Sequence, residues 1–534
     1  MKKNQIILLS VLLVLGIALA LFFYKKQSAD RLSKFVPKDA VSVMEIDLVK
    51  MGSKIKFKEL AEMKFMTKGL LRELSSSNRD WAEKFMKDPS TSGVDFLQNP
   101  LMFIHNNAKS DEEPVLCVAF GVSNAKKLIE TIDNIGDKNL KVSDPDDQGY
   151  YKVSDEDEDE AMLYFNDDQG FLLVDLMNKD ISLKNYRNKI LELSNDDNIR
   201  SNDDYSAAHN APHDLMLYVN KTSVKSILEN SNEFSRSSEQ DLLKSYINRI
   251  PYGITLSFDN NLIQLKSLNN DQAKDQLPML QKDGLDEKSL SKIDADGNPL
   301  AYMTMNLNMK NIFEFVKTLP NSDEFFEMVD QFASAVNVSS DQILNILNGK
   351  ISFSLTGIND NEGSPMPAFL LSAGLDNANV LNDVLTNFPE EQLIQYDGIW
   401  IINETMNGSL PMGFVIADNS LYFSNDFELL QAKNENTAWK SLNESLGKSN
   451  AQKYPVSLYA DLRYKTYEPI IRSFFSGNET EMMEKSKPIW NKIDHFSATG
   501  DEKESEMTIA FNNGNENSLW TMITMLEDAY KIFD

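Results

Sequence analysis

Three patterns of apolar and polar positions organise this chain. The first is an unbroken apolar run, IILLSVLLVLGIALALFFY from Ile6 to Tyr24. It carries no charge, and as a helix rising about 1.5 Å per residue it would cover roughly 28 Å of hydrocarbon. The run ends in Phe22, Phe23 and Tyr24 before Lys25 and Lys26, not at a small-residue cleavage site. That reads as an uncleaved transmembrane signal anchor over residues 1–26, the bulk of the chain lying on the exported side. A polar tether over 27–36 follows.

The second pattern is alternation. In FVPKDAVSVMEIDLVKM, Pro37 and Asp39 open a strand in which Val41, Val43 and Glu45 alternate with Ser42, Met44 and Ile46. GNPLAYMTMNLNMK, from Gly297, has the same layout. Further segments then recur in the same order. VLCVAFGVSNAKKLIETI from Val115 matches AFLLSAGLDNANVLNDVL from Ala368, setting Gly121 against Gly374. Each reads as a strand turning at its Gly into a helix capped by Ser123 or Asp376. The hairpin LKVS-DPDDQG-YYKV from Leu140 matches LIQY-DG-IWII from Leu393, and AMLYFNDDQGFLLVD from Ala161 matches GFVIADNSLYFSND from Gly413. DLMLYVN from Asp214 pairs with PVSLYADL from Pro455, and the closing strands near Pro251 pair with those near His495.

The third pattern is apolar residues at three and four spacing, around Leu60 to Lys87, Val224 to Ile250, Asn311 to Leu347 and Ser518 to Phe533. Together these predict an α+β protein: an N-terminal transmembrane helix, then two duplicated domains, 37–288 and 289–534. Each copy spans roughly 240 residues and is an antiparallel sheet packed with helices.

Composition narrows the function. Of 534 residues, 81 are Asp or Glu and 53 Lys or Arg, a formal charge of -28. That excess disfavours nucleic acid, which is gripped by basic faces. The single cysteine, Cys117, excludes an internal disulfide, and its apolar setting VLCVAF marks it as a buried, inert thiol.

The stretch SDPDDQGYYKVSDEDEDE, Ser143 to Glu160, imitates a calcium loop, with Asp144, Asp146, Gln148, Gly149 and Asp155 at positions one, three, five, six and twelve. Strand-like flanks replace the required helices, Lys152 falls at position nine, and the second copy closes the same turn with Asp397-Gly398 alone. An acidic hairpin turn is expected, followed by a solvated run from Asp155 to Glu160. IDADGNP, from Ile293, places Pro299 where the calcium motif needs Gly. His209 and His213 have the helical metal spacing, but HNAPH, with Pro212 between them, reads as loop; His105 and His495 lie in strands. There is no G-x-S-x-G elbow and no Gly-rich phosphate loop. The pattern assigns no catalytic, cofactor-binding or metal-binding residue and no cofactor. The 23 methionines, Met44, Met303 and Met305 among them, read as core filler.

The openings VPKDAVSVMEIDL and NPLAYMTMNL, behind an envelope anchor, resemble an uncharacterised family of membrane-bound or lipoprotein-type envelope proteins from Bacteroidota. This chain departs from them in having no lipid-accepting cysteine after the apolar run. The resemblance implies location and fold; the family is a domain of unknown function with no catalytic residues to carry over. The expectation is a non-enzymatic envelope protein, attached to the membrane by its N-terminal helix and binding an envelope protein, another macromolecule or an apolar lipid ligand. The alternatives are a hydrolase-type enzyme with a scattered site and a calcium-stabilised adhesin.

Overall fold

The computed structural model describes residues 31–533 except 70, 72–75, 107–113, 136–139, 156–160, 178–181, 231–246, 249, 270–277, 320–321, 362–363, 388–392, 403–411, 436 and 469–477. The apolar run Ile6 to Tyr24 and most of the acidic run Asp155 to Glu160 therefore lie outside the described residues. Among the described residues, no helix is long and apolar enough to cross a membrane.

The expected fold is corrected in one respect that matters. Two domains with separate sheets were expected behind a transmembrane helix, whereas the 21 described strands belong to a single antiparallel sheet accompanied by helices. Alternation predicts where strands form, but pairing between edge strands leaves no local mark.

By its contacts the chain divides into two units, Met1–Asn270 with Asn513–Asp534, and Asp271–Asn512. The first holds β1 (Ser42–Ile46), β2 (Val94–Asp95), β3 (Leu101–His105), β4 (Val115–Val122), β5 (Leu140–Val142), β6 (Tyr151–Asp155), β7 (Ala161–Phe165), β8 (Gln169–Asp175), β9 (Leu215–Val219), β10 (Gly253–Asp259) and β11 (Leu262–Leu268). They pair antiparallel in the order β5-β6-β7-β8-β4-β3-β1-β9-β10-β11, with short β2 on β4 beyond the end of β3.

The second holds β12 (Ala301–Asn306), β13 (Leu347–Asn361), β14 (Ser364–Leu375), β15 (Leu393–Tyr396), β16 (Ile399–Ile402), β17 (Gly413–Ala417), β18 (Ser420–Ser424), β19 (Val456–Asp461), β20 (Ile493–Gly500) and β21 (Glu504–Phe511). Its order is β15-β16-β17-β18-β14-β13-β12-β19-β20-β21. Strand for strand the two orders are the same, β1 and β12 at corresponding places.

Local chemistry explains several of these elements. Asp397 and Gly398 both take positive φ, 47° and 81°, the mirror-image turn that matches strand twist and closes β15 onto β16. Gly121 and Gly374 do not turn the chain as expected. They sit inside β4 and β14, where a side chain would press on Gln98 and Asp95 or collide with the side chain of Asn348, so glycine is required for close approach. The caps also shift by one residue. Asn124 Oδ1 accepts from the Lys127 amide at 3.0 Å and Asn377 Oδ1 from Val380 at 3.3 Å, because the helices start at Ala125 and Ala378.

The cores differ. In the first unit one apolar cluster runs across the sheet from Phe171 through Ala119 and Leu101 to Met216 and Tyr218, and takes in Leu32, Phe35 and Val36. A second cluster joins the helices after β1, through Leu48, Phe57, Leu60, Met66, Ala82 and Phe85, to Trp520. Trp520 comes from the last helix, Ser518–Phe533, so residues remote in sequence complete this layer. Glu527 on the same helix accepts from the Phe65 amide at 3.0 Å. In the second unit the core is broken into smaller clusters.

Candidate functional site

The acidic turn between β5 and β6 is organised by an arginine. Asp146 Oδ1 accepts from the amides of Gln148 and Tyr150, both at 3.0 Å, while its Oδ2 meets Arg187 Nη1 at 2.6 Å. The Arg187 guanidinium is 1 % exposed, lies over the rings of Tyr150 and Tyr164, and also donates to Gln148 Oε1 at 3.1 Å. Partial burial pushes the Asp146 carboxyl up, but the Tyr150 amide and Arg187 outweigh it and hold the group below its ordinary range. Both Asp146 carboxylate oxygens and Gln148 Oε1 are thus already taken by donors. Among the described residues no group of three or more His, Cys, Asp or Glu is placed to hold a metal.

The histidines are structural partners. His209 does not sit in a loop as expected: it ends the helix Asp203–Asn210, and its Nδ1 lies 2.7 Å from Glu45 Oε2. Glu45 points inward from β1, where Asn99 Nδ2 supplies its other oxygen at 2.9 Å. His213 uses Nδ1 on the Ala211 carbonyl at 2.7 Å. His105, in β3, is buried with Nε2 3.1 Å from Asp39 Oδ1, and that hydrogen bond lowers the Asp39 pKa. A cavity of about 700 Å³ adjoins this pair, lined also by Asn185, Asn188, Lys189 and Glu192. Its lining holds no serine, threonine or cysteine, so it offers a His–Asp pair without a hydroxyl or thiol nucleophile. Cys117 is fully buried in β4, and burial pushes its thiol well up, away from reactivity.

A second cavity, of about 180 Å³, lies in the second unit. It is lined by Lys288, Lys292 and Lys350, by Ser352, Ser372 and Ser420 on β13, β14 and β18, and by Asp286 and Asp418. Lys292 Nζ donates to Ser420 Oγ at 2.7 Å and to the Asp418 carbonyl at 3.0 Å. Partial burial and then Lys288 lower the Lys292 pKa. Lys350 pairs with Asp286, which also accepts from the Ser289 amide at 2.8 Å. Close by, Lys433 is 5 % exposed and lies over the rings of Trp439, at 3.4 Å, and Tyr422, at 4.8 Å. Burial brings its pKa down to about 8.

The serines are one row of a wider difference. Register sets Phe171, Ala119, Leu101, Glu45 and Met216 side by side in the first unit. At the corresponding places in the second stand Tyr422, Ser372, Ser352, Thr304 and Ser457. Spacing along the chain could not reveal these residues, since no local motif joins positions from 288 to 420. Setting the two units side by side by register shows serine where the first has leucine and alanine.

The helices of the second unit differ too. Helix Met309–Val316 buries none of its side chains fully, although it contains Ile312, Phe313, Phe315 and Val316. Helix Ser322–Ala335 exposes Phe325, Met328 and Phe332, at three and four spacing, Met328 by 61 %. Three such residues make an apolar stripe turned to solvent.

Taken together, the described residues form an antiparallel sheet with helices in which one strand order occurs twice. The chain belongs to the family described as a domain of unknown function (DUF4836), whose model matches residues 33–519. No curated protein matches it. Among solved structures, two crystal forms of TP0453 align at 8% identity, with TM-scores of 0.21 and 0.19. The alignments cover 74% and 75% of this chain and 93% of TP0453. Likeness at those scores carries no conclusion about architecture or activity.

Proposed function

We propose that this protein is a non-enzymatic binding protein of the cell envelope, built from two copies of one unit, whose second copy receives a partner protein on its helical layer. The carrying observation is the exposed stripe Phe325, Met328 and Phe332 on helix Ser322–Ala335. Support for the occupant comes from the other unit. There the helices after β1 close around Trp520 of helix Ser518–Phe533, so the surface that fits such a layer is one face of an amphipathic helix. The identical strand order of the two units supports duplication, and the uncharged run Ile6 to Tyr24 ahead of an acidic body supports export to the envelope.

Crosslinking in intact cells from a photoreactive residue at position 328 tests the reading. A reproducible protein adduct is expected, lost when Phe325, Met328 and Phe332 are all changed to Ser without a fall in melting temperature. Failure to recover a reproducible partner, or an adduct indifferent to the triple change, overturns it.

A further inference from the structure

On the first unit's sheet the corresponding places hold Leu101, Ala119 and Gln169, the last hydrogen-bonded to Tyr150. The second unit keeps the backbone order but places Ser352, Ser372 and Ser420 there, buried to within 6 % exposure, and opens a cavity in front of them. A hydroxyl withdrawn from water costs about 1–3 kcal/mol unless it finds a partner. Ser420 finds one in Lys292, and Ser352 and Ser372 stand on the same wall. They face three lysines in a chain whose net charge is -28, so the local cations run against the global excess.

We propose that this cavity binds a phosphate-class oxyanion. A tetrahedral anion accepts from several directions at once, which suits hydroxyls on three neighbouring strands together with ammonium groups. Lys292 is the centre of the site. Its ammonium has three donors, two of them committed to Ser420 and the Asp418 carbonyl, and the third is available to a ligand. Lys288 stands exposed at the rim and Lys350 on β13, and the latter neutralises Asp286. With Asp418 as the other carboxylate the lining carries a formal charge of +1, three lysines less two aspartates. Lys433 adds a buried cation behind Tyr422. At about 180 Å³ the cavity far exceeds the ~10–15 Å³ that a single water needs. The first unit fills the corresponding place with Leu101, Ala119 and Gln169, which predicts one site per chain.

Calorimetric titration of the whole chain with inorganic phosphate tests this. Saturable binding with one site is expected, weakened at least tenfold by Lys292→Met and by Ser372→Ala, and measurably by Lys288→Met. Because Lys288 is exposed, its variant reports on binding even if a buried change impairs folding, and each variant is checked by its melting curve. Acetate should bind far more weakly; acetate binding as well as phosphate overturns the assignment to an oxyanion of this class. Sedimentation with phosphatidic acid vesicles against phosphatidylcholine vesicles separates the sources. Association lost in Lys292→Met identifies a lipid headgroup, and phosphate binding without vesicle association identifies a soluble phosphate. No phosphate binding by the parent chain, or parental affinity in both Lys292→Met and Ser372→Ala, overturns the proposal.

Discussion

The two units share a strand order and little else about how they are filled. The first has one large apolar cluster across its sheet and a helical layer closed by Trp520; the second has hydroxyls on the same sheet face and a helical layer that partly exposes Phe325, Met328 and Phe332. The sheet's backbone pairing is enough to preserve an order of ten strands while its inner side chains change character. The first unit packs its helices around Trp520, and the second exposes Phe325, Met328 and Phe332 on its helical layer.

The largest test of that contrast is a pair of truncations. Trp520→Ala should destabilise the chain by about 3–5 kcal/mol, as loss of a large buried aromatic does, whereas Phe325→Ala should stay within about 0.5 kcal/mol. Urea denaturation followed by circular dichroism reads both, and comparable losses would erase the distinction. Next comes Arg187→Met, which strips Asp146 of its charged partner and should cost about 2 kcal/mol. Added calcium should restore none of it, since the turn is built on a guanidinium; rescue by calcium in a thermal melt would revive the metal-loop reading. The Asp146 pKa is lowered on folding, so its contribution is present above the unfolded value and fades as pH falls through the folded one.

The smallest effect concerns Lys433, whose pKa drops on folding from 10.5 to about 8. Between those values the unfolded chain holds more protons, so stability attributable to this group should rise with pH from about 8 to 10.5. Lys433→Met should flatten that rise. An identical pH profile in parent and variant would remove the buried cation from the account of the second unit.

Much of the fold is visible in the chain itself, and the reason is local. Gly398 takes positive φ in its turn, helices do begin after the predicted cap region, though capped by Asn124 and Asn377 instead of Ser123 and Asp376, and alternation in SVMEI and AYMTMN marks a strand with one buried face. Pairing of strands across the sheet is decided by distant partners and has no such mark. The candidate sites were hidden for a related reason. Ser352, Ser372 and Lys292 are ordinary residues singly, and only the register of β13, β14 and β18 brings them to one wall. The Arg187 to Asp146 contact spans 41 residues and likewise depends on tertiary placement.

The position of helix Ser518–Phe533 has a consequence in time. Its Trp520 completes a cluster begun by Leu48 and Phe57, yet every residue of the second unit is translated in between. While the ribosome works through those residues, the earlier apolar side chains wait without their last neighbour, a window in which a chaperone or a premature aggregate competes for them. The order of synthesis, set by this one late helix, makes the more tightly packed half of the molecule the last to be finished.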